Sequence, residues 1–189
     1  TTGVISTGQC FISVGSGANI ASNTNRPVSH PTILTYPHCI PGLTMAITVS
    51  SSTGLSYKWM RNNLCQSESA VASITGEDPY VYMGKAAEKA KPGAVGVIFL
   101  PYLDGDYTPN NDPNARGCFV GMGTTTTKAD LLRATMEGVA FSILDNINLI
   151  RELGSKLDEI VLAGGIAKSK IWLQIIADVT GCVVSLPEE

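Results

Sequence analysis

The chain has 189 residues, 44% of them hydrophobic, which is the length of one domain and enough apolar content for a sizeable core. Its 13 basic and 16 acidic residues give a formal charge of -3 with no Lys/Arg run, which argues against nucleic acid or an anionic membrane surface as partners. With no apolar run of transmembrane length and no signal peptide, a cytoplasmic protein is expected, and the scattered Cys10, Cys39, Cys65, Cys118 and Cys182 are expected to be buried free thiols.

The first residue is Thr1 and the last segment, "CVVSLPEE", reads as a strand followed by a loop. Both ends are therefore expected to be cut. In "QCFISVGSGANIAS", β-branched and aromatic residues lead into Gly15-Ser16-Gly17 and extended structure resumes, so a strand, a tight turn and a second strand are predicted. Residues 22–43 show no helical period and read as irregular hairpins. "LTMAITVS" is a buried strand running into the helix "SSTGLSYKWMRNNL".

A second helix, "YVYMGKAAEKA", stops at Lys91-Pro92-Gly93. The strand "VGVIFLPYL", a polar loop from Asp104 to Arg116 and the strand "CFVGM" follow. Leu132, Met136, Val139, Ala140, Ile143, Ile147 and Ile150 recur at three- and four-residue steps, which predicts one long amphipathic helix. Thr127 and Asp130 form a variant capping box at its start, and Gly154 supplies a left-handed stop. After it come the strand "DEIVLAGG", a helix from Ser169 to Thr180 with Ile171, Trp172, Ile175, Ile176 and Val179 inward, and the strand "CVVSL".

That last run is a βαβ unit, so its strands are parallel and Gly164-Gly165 stands at the carboxyl end of a strand and the amino end of a helix. Two glycines there let a flat ligand lie against backbone, and the N–H groups with the positive helix end favour phosphate oxygens, so a nucleotide suits the corner. A glycine pair that only tightens a turn is the alternative. Neither G-x-G-x-x-G nor G-x-x-x-x-G-K-[ST] occurs, which excludes the dinucleotide fingerprint and the P-loop. The small-residue turn "VGSGAN" can instead wrap backbone amides around a phosphate with one hydroxyl beside it, as hairpins of actin-like ATPases do.

The acidic loop "DGDYTPNND" fails the calcium-loop spacing, with Pro109 and Ala115 where Gly and Glu are needed, and is read as solvated. His30 and His38 have no third ligand in sequence, so no metal is assigned to them. Trp59 and Trp172 are expected in the core.

"GCFVGMGTTTTKADLLRATMEG", Gly117 to Gly138, resembles the second signature of the FGGY family of carbohydrate kinases, through Gly117, Phe119, Gly121, Met122, Asp130, Leu131, Ala134 and Glu137. "FLPYLDGDYTPNNDPNARG", "TGLSYKWMRNNL" and "LAGGIAKSKIWLQIIADVTG" are similar to three further family segments. The resemblance implies an α/β fold, a ribonuclease H-like and actin-like ATPase lobe with a mixed sheet and flanking helices. Residues 1–189 would then be the carboxy-terminal lobe of a two-lobed kinase that binds ATP with Mg2+ and a sugar in the cleft.

Carried over by position, Gly15, Ser16 and Gly17 match the family's phosphate-binding hairpin, Gly54 and Lys58 the helix facing the nucleotide, and Gly164, Gly165 and Ser169 the adenosine motif. Asn19 is a candidate sugar contact, with a turn amide as the alternative. The general-base aspartate of the family stands shortly before the hairpin. No aspartate precedes Asp78 here, so the base and the metal carboxylates are expected in the amino-terminal lobe. The fragment alone is expected to be inactive.

The expected partners are a sugar or polyol and the amino-terminal lobe, with a homo-oligomer left open. "YLDGDYTPNNDPNARG" resembles xylulose kinases, yet Tyr107 and Asn110 stand where that pattern has Arg and His. Gluconate, glycerol or another polyol stays open as substrate, and a noncatalytic actin-like nucleotide-binding module is the alternative function.

Overall fold

The computed structural model describes residues 3–187; the expectations for Thr1 and for Glu188 and Glu189 lie outside them. Alternation in "CFISV" buries Cys10, Ile12 and Val14 on one side of β1 (Cys10–Val14), and β2 (Ala18–Thr24) returns antiparallel with Val14 opposite Ala18. The predicted hairpin is therefore present. In the irregular stretch, β3 (Leu34–Pro37) pairs with β4 (Thr44–Ser50), which in turn pairs with β2. The turns around it are held by histidines: His38 Nδ1 accepts from the Ile40 N–H at 2.9 Å, and His30 Nδ1 lies 3.3 Å from the Thr32 nitrogen.

Helix α1 (Thr53–Leu64) follows β4 directly, and α2 (Gln66–Thr75) and α3 (Pro79–Ala87) follow it. α2 was not anticipated from the sequence. It buries only Ala72, so it carries no apolar stripe, and it is tied down instead by Lys128 bridging to Glu68 at 2.6 Å and by the Tyr82 hydroxyl donating to Thr75. The apolar run after Pro92 yields only a short β5 (Ile98–Leu100), which pairs with β6 (Cys118–Val120) in a separate ribbon rather than joining the main sheet.

Helix α4 (Lys128–Glu152) is the long amphipathic element, and its capping box is formed reciprocally by Thr127 and Asp130. The Thr127 hydroxyl holds the Asp130 carboxyl below the usual carboxylate range. Leu132, Met136, Val139, Ala140, Ile143, Ile147 and Ile150 are all buried, as the periodicity requires. β7 (Glu159–Gly164) pairs parallel with β1, and β8 (Val183–Ser185) parallel with β7 after α5 (Lys170–Thr180). The six-stranded mixed sheet thus runs β3-β4-β2-β1-β7-β8.

The core lies between one face of this sheet and the helices, with Ile12, Ile20, Ile160 and Leu162 meeting Met136, Ile143 and Ile147 of α4. Trp172 belongs to it, with its Nε1–H donating to the Met136 carbonyl at 3.2 Å. Trp59 does not; it is 38% exposed on the outer side of α1. Cys10, Cys65 and Cys182 are buried thiols, but Cys39 and Cys118 are exposed, because both sit on segments outside the sheet–helix core.

Residues of the "GCFVGMG…MEG" signature explain themselves by packing. A Cβ on Gly138 would run into the Phe99 carbonyl, one on Gly121 would lie 2.6 Å from the Gly96 oxygen, and Ala134 is buried with Val97 and Phe99. Glu137 accepts from the Gly93 N–H at 3.0 Å and pairs with Arg133 at 2.7 Å. The signature therefore fastens the β5–β6 ribbon to α4 rather than presenting reactive groups.

The loop after β5 is solvated at Asp104 and over residues 110–114, as its composition suggests, but not at Asp106 and Thr108. Asp106 is only 5% exposed and accepts from the Asn110 side chain at 2.8 Å, while Thr108 is fully buried and exchanges hydrogen bonds with Val49 of β4. These hydrogen bonds replace water at Asp106 and Thr108, whereas Asp104 and Asp112 stay exposed.

Candidate functional site

Three glycine-bearing turns meet at one end of the sheet. Val14 pairs with Gly164, so the tip Gly15-Ser16-Gly17 follows β1 directly beside the point where β7 ends. The start of α1 closes onto the same tip: the Leu55 N–H donates to the Ser16 carbonyl at 2.8 Å, and a Cβ on Gly54 would collide with the Gly15 carbonyl. A Cβ on Gly17 would lie 2.8 Å from the Ser50 oxygen. The chain approaches itself so closely here that only glycine fits at residues 17 and 54.

The two glycines of the corner have separate reasons. Gly164 has φ +105, and a Cβ there would run into the Val14 carbonyl, so its glycine is required by the neighbouring strand. Gly165 meets nothing within 4 Å of a Cβ and is exposed. Both glycines are exposed, but only at Gly165 is the space that a side chain would take open. α5 also begins later than the corner, because a 3-10 turn (Gly165–Lys168) intervenes and places Ser169 at the N-cap position.

Helix capping differs between the helices. Asp78 caps α3 and Thr127 caps α4, whereas no side chain caps α1, α2 or α5; of these α1 and α5 begin at this end. In α1 the Leu55 N–H is already taken by the Ser16 carbonyl; the other first-turn N–H groups, at a positive helix end, are suited to an anion. Ser16 is exposed at the hairpin tip, and Lys58 is exposed one turn into α1. An aromatic cluster links the two helices near their starts, with Tyr57 and Trp172 tilted at 4.7 Å and Tyr57 and Tyr80 stacked at 5.7 Å between ring centroids. Burial pushes the Tyr57 hydroxyl well above its ordinary range, so it stays neutral.

Asn19 is exposed and stands opposite Ser13 on the sheet face turned away from α4. Ser13 and Ser52 were not singled out from the sequence. Strand alternation counted back from Asn19 would have found the first; the second accepts from the Asp104 N–H at 3.2 Å, a contact between segments that no local pattern announces. Among the described residues no group of three or more His, Cys, Asp or Glu side chains could hold a metal ion. Among the described residues no helix is long and apolar enough to cross a membrane.

The family model for the FGGY family of carbohydrate kinases, C-terminal domain, matches residues 10–189. The chain belongs to this family. It is 34% identical over 179 residues to the xylulose kinase of Staphylococcus epidermidis, covering 94% of this chain and 34% of that enzyme. It is 32% identical over 136 residues to the gluconokinase of Bacillus subtilis, covering 71% of this chain and 26% of that enzyme. The crystal structure of xylulose kinase from Rhodospirillum rubrum superposes with a TM-score of 0.87 at 25% identity, over 98% of this chain and 36% of that one.

The mixed sheet with flanking helices is thus the ribonuclease H-like, actin-like fold of the carbohydrate kinases, as the sequence led us to expect. The chain spans about a third of the length of the xylulose kinases it matches.

Proposed function

We propose that this chain is the nucleotide-binding lobe of an ATP-dependent carbohydrate kinase that transfers the ATP γ-phosphate to a hydroxyl of a sugar, with a xylulose-like ketose as the favoured acceptor. The observation that carries the proposal is the convergence of Gly15-Ser16-Gly17, the uncapped start of α1 and the Gly164–Ser169 turn at one sheet end. That end fits ATP: Gly165 offers bare backbone to a flat base or ribose, and the hairpin tip with the first turn of α1 offers N–H groups to phosphate oxygens.

Within this assignment Ser16 donates its hydroxyl to a phosphate oxygen, Lys58 screens the polyphosphate charge, and Ser169 holds the nucleoside side of the corner. Asn19 faces the acceptor. The Mg2+ that accompanies ATP would take its carboxylates, and the reaction its general base, from the amino-terminal lobe. Catalysis by this chain is then positioning and charge stabilisation, the usual share of a nucleotide lobe in phosphoryl transfer.

The xylulose-like acceptor is supported by the names of relatives such as the S. epidermidis and R. rubrum enzymes. A sugar-acid acceptor is kept as the second choice by the gluconokinase match. Asn110 does not favour either, since both its N–H and its amide hold Asp106. A coupled assay of the full-length kinase over ketoses, polyols and aldonic acids tests the proposal. The highest kcat/KM is expected for xylulose. Nucleotide binding with no phosphorylation of any acceptor would instead assign the chain to a noncatalytic actin-like module.

A further inference from the structure

A cavity lies at the opposite end of the same sheet from the hairpin tip. It is an open cleft with a volume of about 610 Å3, bordered by the loop entering β1, the β2–β3 loop and the turn between α4 and β7. A space of this size accommodates a small metabolite. β1, Cys10–Val14, separates it from the hairpin tip and spans about 13 Å at strand rise, so a small anion held in it lies at the other end of the strand from the nucleotide.

The charge of this cavity opposes that of the chain. Arg26 and Lys156 line it, no carboxylate does, and among the described residues neither cation takes part in an ion pair. In a protein of formal charge -3, two unpaired cations facing one cavity make a local positive field. Hydroxyls and an amide stand between them: Thr7, Asn25, Ser29 and Ser155.

The C-terminal end of α4 also reaches the cavity and would repel an anion if its carbonyls were bare. They are not. The Leu153 N–H donates to the Ile150 oxygen and the Gly154 N–H to the Arg151 oxygen, at 3.2 and 2.9 Å. The Arg151 guanidinium, directed at the Leu157 carbonyl at 2.7 Å, adds a third positive charge behind the turn. Glu152 and Asp158 flank the turn in sequence but do not line the cavity.

We infer that this cavity binds a phosphate group, either free phosphate or the phosphate of a small polyol ester, with Arg26 and Lys156 as its charged ligands and the surrounding hydroxyls as hydrogen-bond donors. Arginine and lysine suit a phosphate dianion because charge-assisted hydrogen bonds to its oxygens are stronger than neutral ones. Bound there, the anion would tie the β2–β3 loop to the turn at the end of α4, at the other end of β1 from the nucleotide. The site would therefore report on phosphorylated metabolites without competing for ATP.

Amide chemical-shift titration of the 189-residue chain tests this, with inorganic phosphate, glycerol 3-phosphate and unphosphorylated glycerol as separate probes. Amides of Gly8, Asn25 and Ser155 should shift with one or both phosphates at low millimolar concentration and not with glycerol. The tighter of the two phosphates identifies the source. In the double variant Arg26→Gln, Lys156→Gln the affinity read at these amides should fall at least ten-fold, while amides of the buried α4 residues stay in place and show that the fold is intact. Shifts confined to the Gly15–Gly17 hairpin, absent shifts at the cavity, or an undiminished response in the double variant would overturn the inference.

Discussion

Val14 and Gly164 stand opposite one another across β1 and β7, and the Val14 carbonyl occupies the space that a side chain on residue 164 would need. Its neighbour Gly165 faces open space. The two adjacent glycines should therefore fail in different ways. Gly164→Ala adds overpacking and a strained left-handed backbone, and should lower stability by about 1 to 3 kcal/mol. Gly165→Val should leave the melting temperature close to that of the parent and weaken ATP binding by roughly ten-fold, since each factor of ten in affinity is about 1.4 kcal/mol. Thermal denaturation beside a nucleotide titration separates the two. Equal loss of stability in both variants would show that Gly165 also serves packing.

The contact between the hairpin tip and α1 yields a second pair. Gly54→Ala pushes α1 away from the Gly15 carbonyl and strains the hydrogen bond from the Leu55 N–H to Ser16, so stability and nucleotide affinity should fall together. Ser16→Ala removes an exposed hydroxyl and should leave stability within about 0.5 kcal/mol of the parent. In the full-length kinase it should lower kcat more than it raises KM for ATP, because a hydrogen bond to the transferring phosphate strengthens as charge develops. A purely raised KM would place Ser16 on ground-state binding alone.

Elements whose signal is local were legible in the sequence. The α4 stripe, its Thr127–Asp130 capping box and the β1–β2 hairpin depend on residues within a few positions of each other, and each is present. What was not legible depends on contacts across the chain. α2 has almost no apolar face and is held by Lys128, about sixty residues away in sequence. Asp106 and Thr108 look solvated until β4 and α4 close over them, and Trp59 looks like a core residue until the helices take the other side of α1. Gly164 and Gly165 are the same letter with different reasons, because the Val14 carbonyl lies against one and not the other.

The α4 capping box has a pH signature. The Thr127 hydroxyl and N–H hold Asp130 ionised, so its folded pKa lies below the unfolded one. A depressed carboxyl contributes stability above the unfolded value of about 3.9, and loses it as pH falls through the lower folded value. Thr127→Ala should cost about 1 kcal/mol at neutral pH. The stability difference between the parent and Asp130→Asn should shrink below about pH 4. A gap that widens on acidification would contradict the capping assignment.

Thiol reactivity should follow burial. The Cys10 thiol is pushed up to about 12 by burial and by the neighbouring Cys182, with Arg151 acting weakly in the opposite direction. Iodoacetamide at pH 7.5 should modify Cys39 and Cys118 in the folded chain and leave Cys10, Cys65 and Cys182 unmodified until denaturant is added. Peptide mass spectrometry reads the sites, and rapid native-state modification of Cys10 would refute the packing described for β1.

The central claim is that one end of the sheet forms a single ATP site from three separate turns. Amide chemical-shift titration of the chain with Mg-ATP measures it residue by residue. The account predicts that Gly15–Gly17, the first turn of α1 through Lys58, and Gly164 to Ser169 shift together and follow one saturation curve, with Gly8 and Asn25 at the opposite end unmoved. Saturating ATP that leaves these three turns in place, or moves them with unrelated dissociation constants, would contradict it.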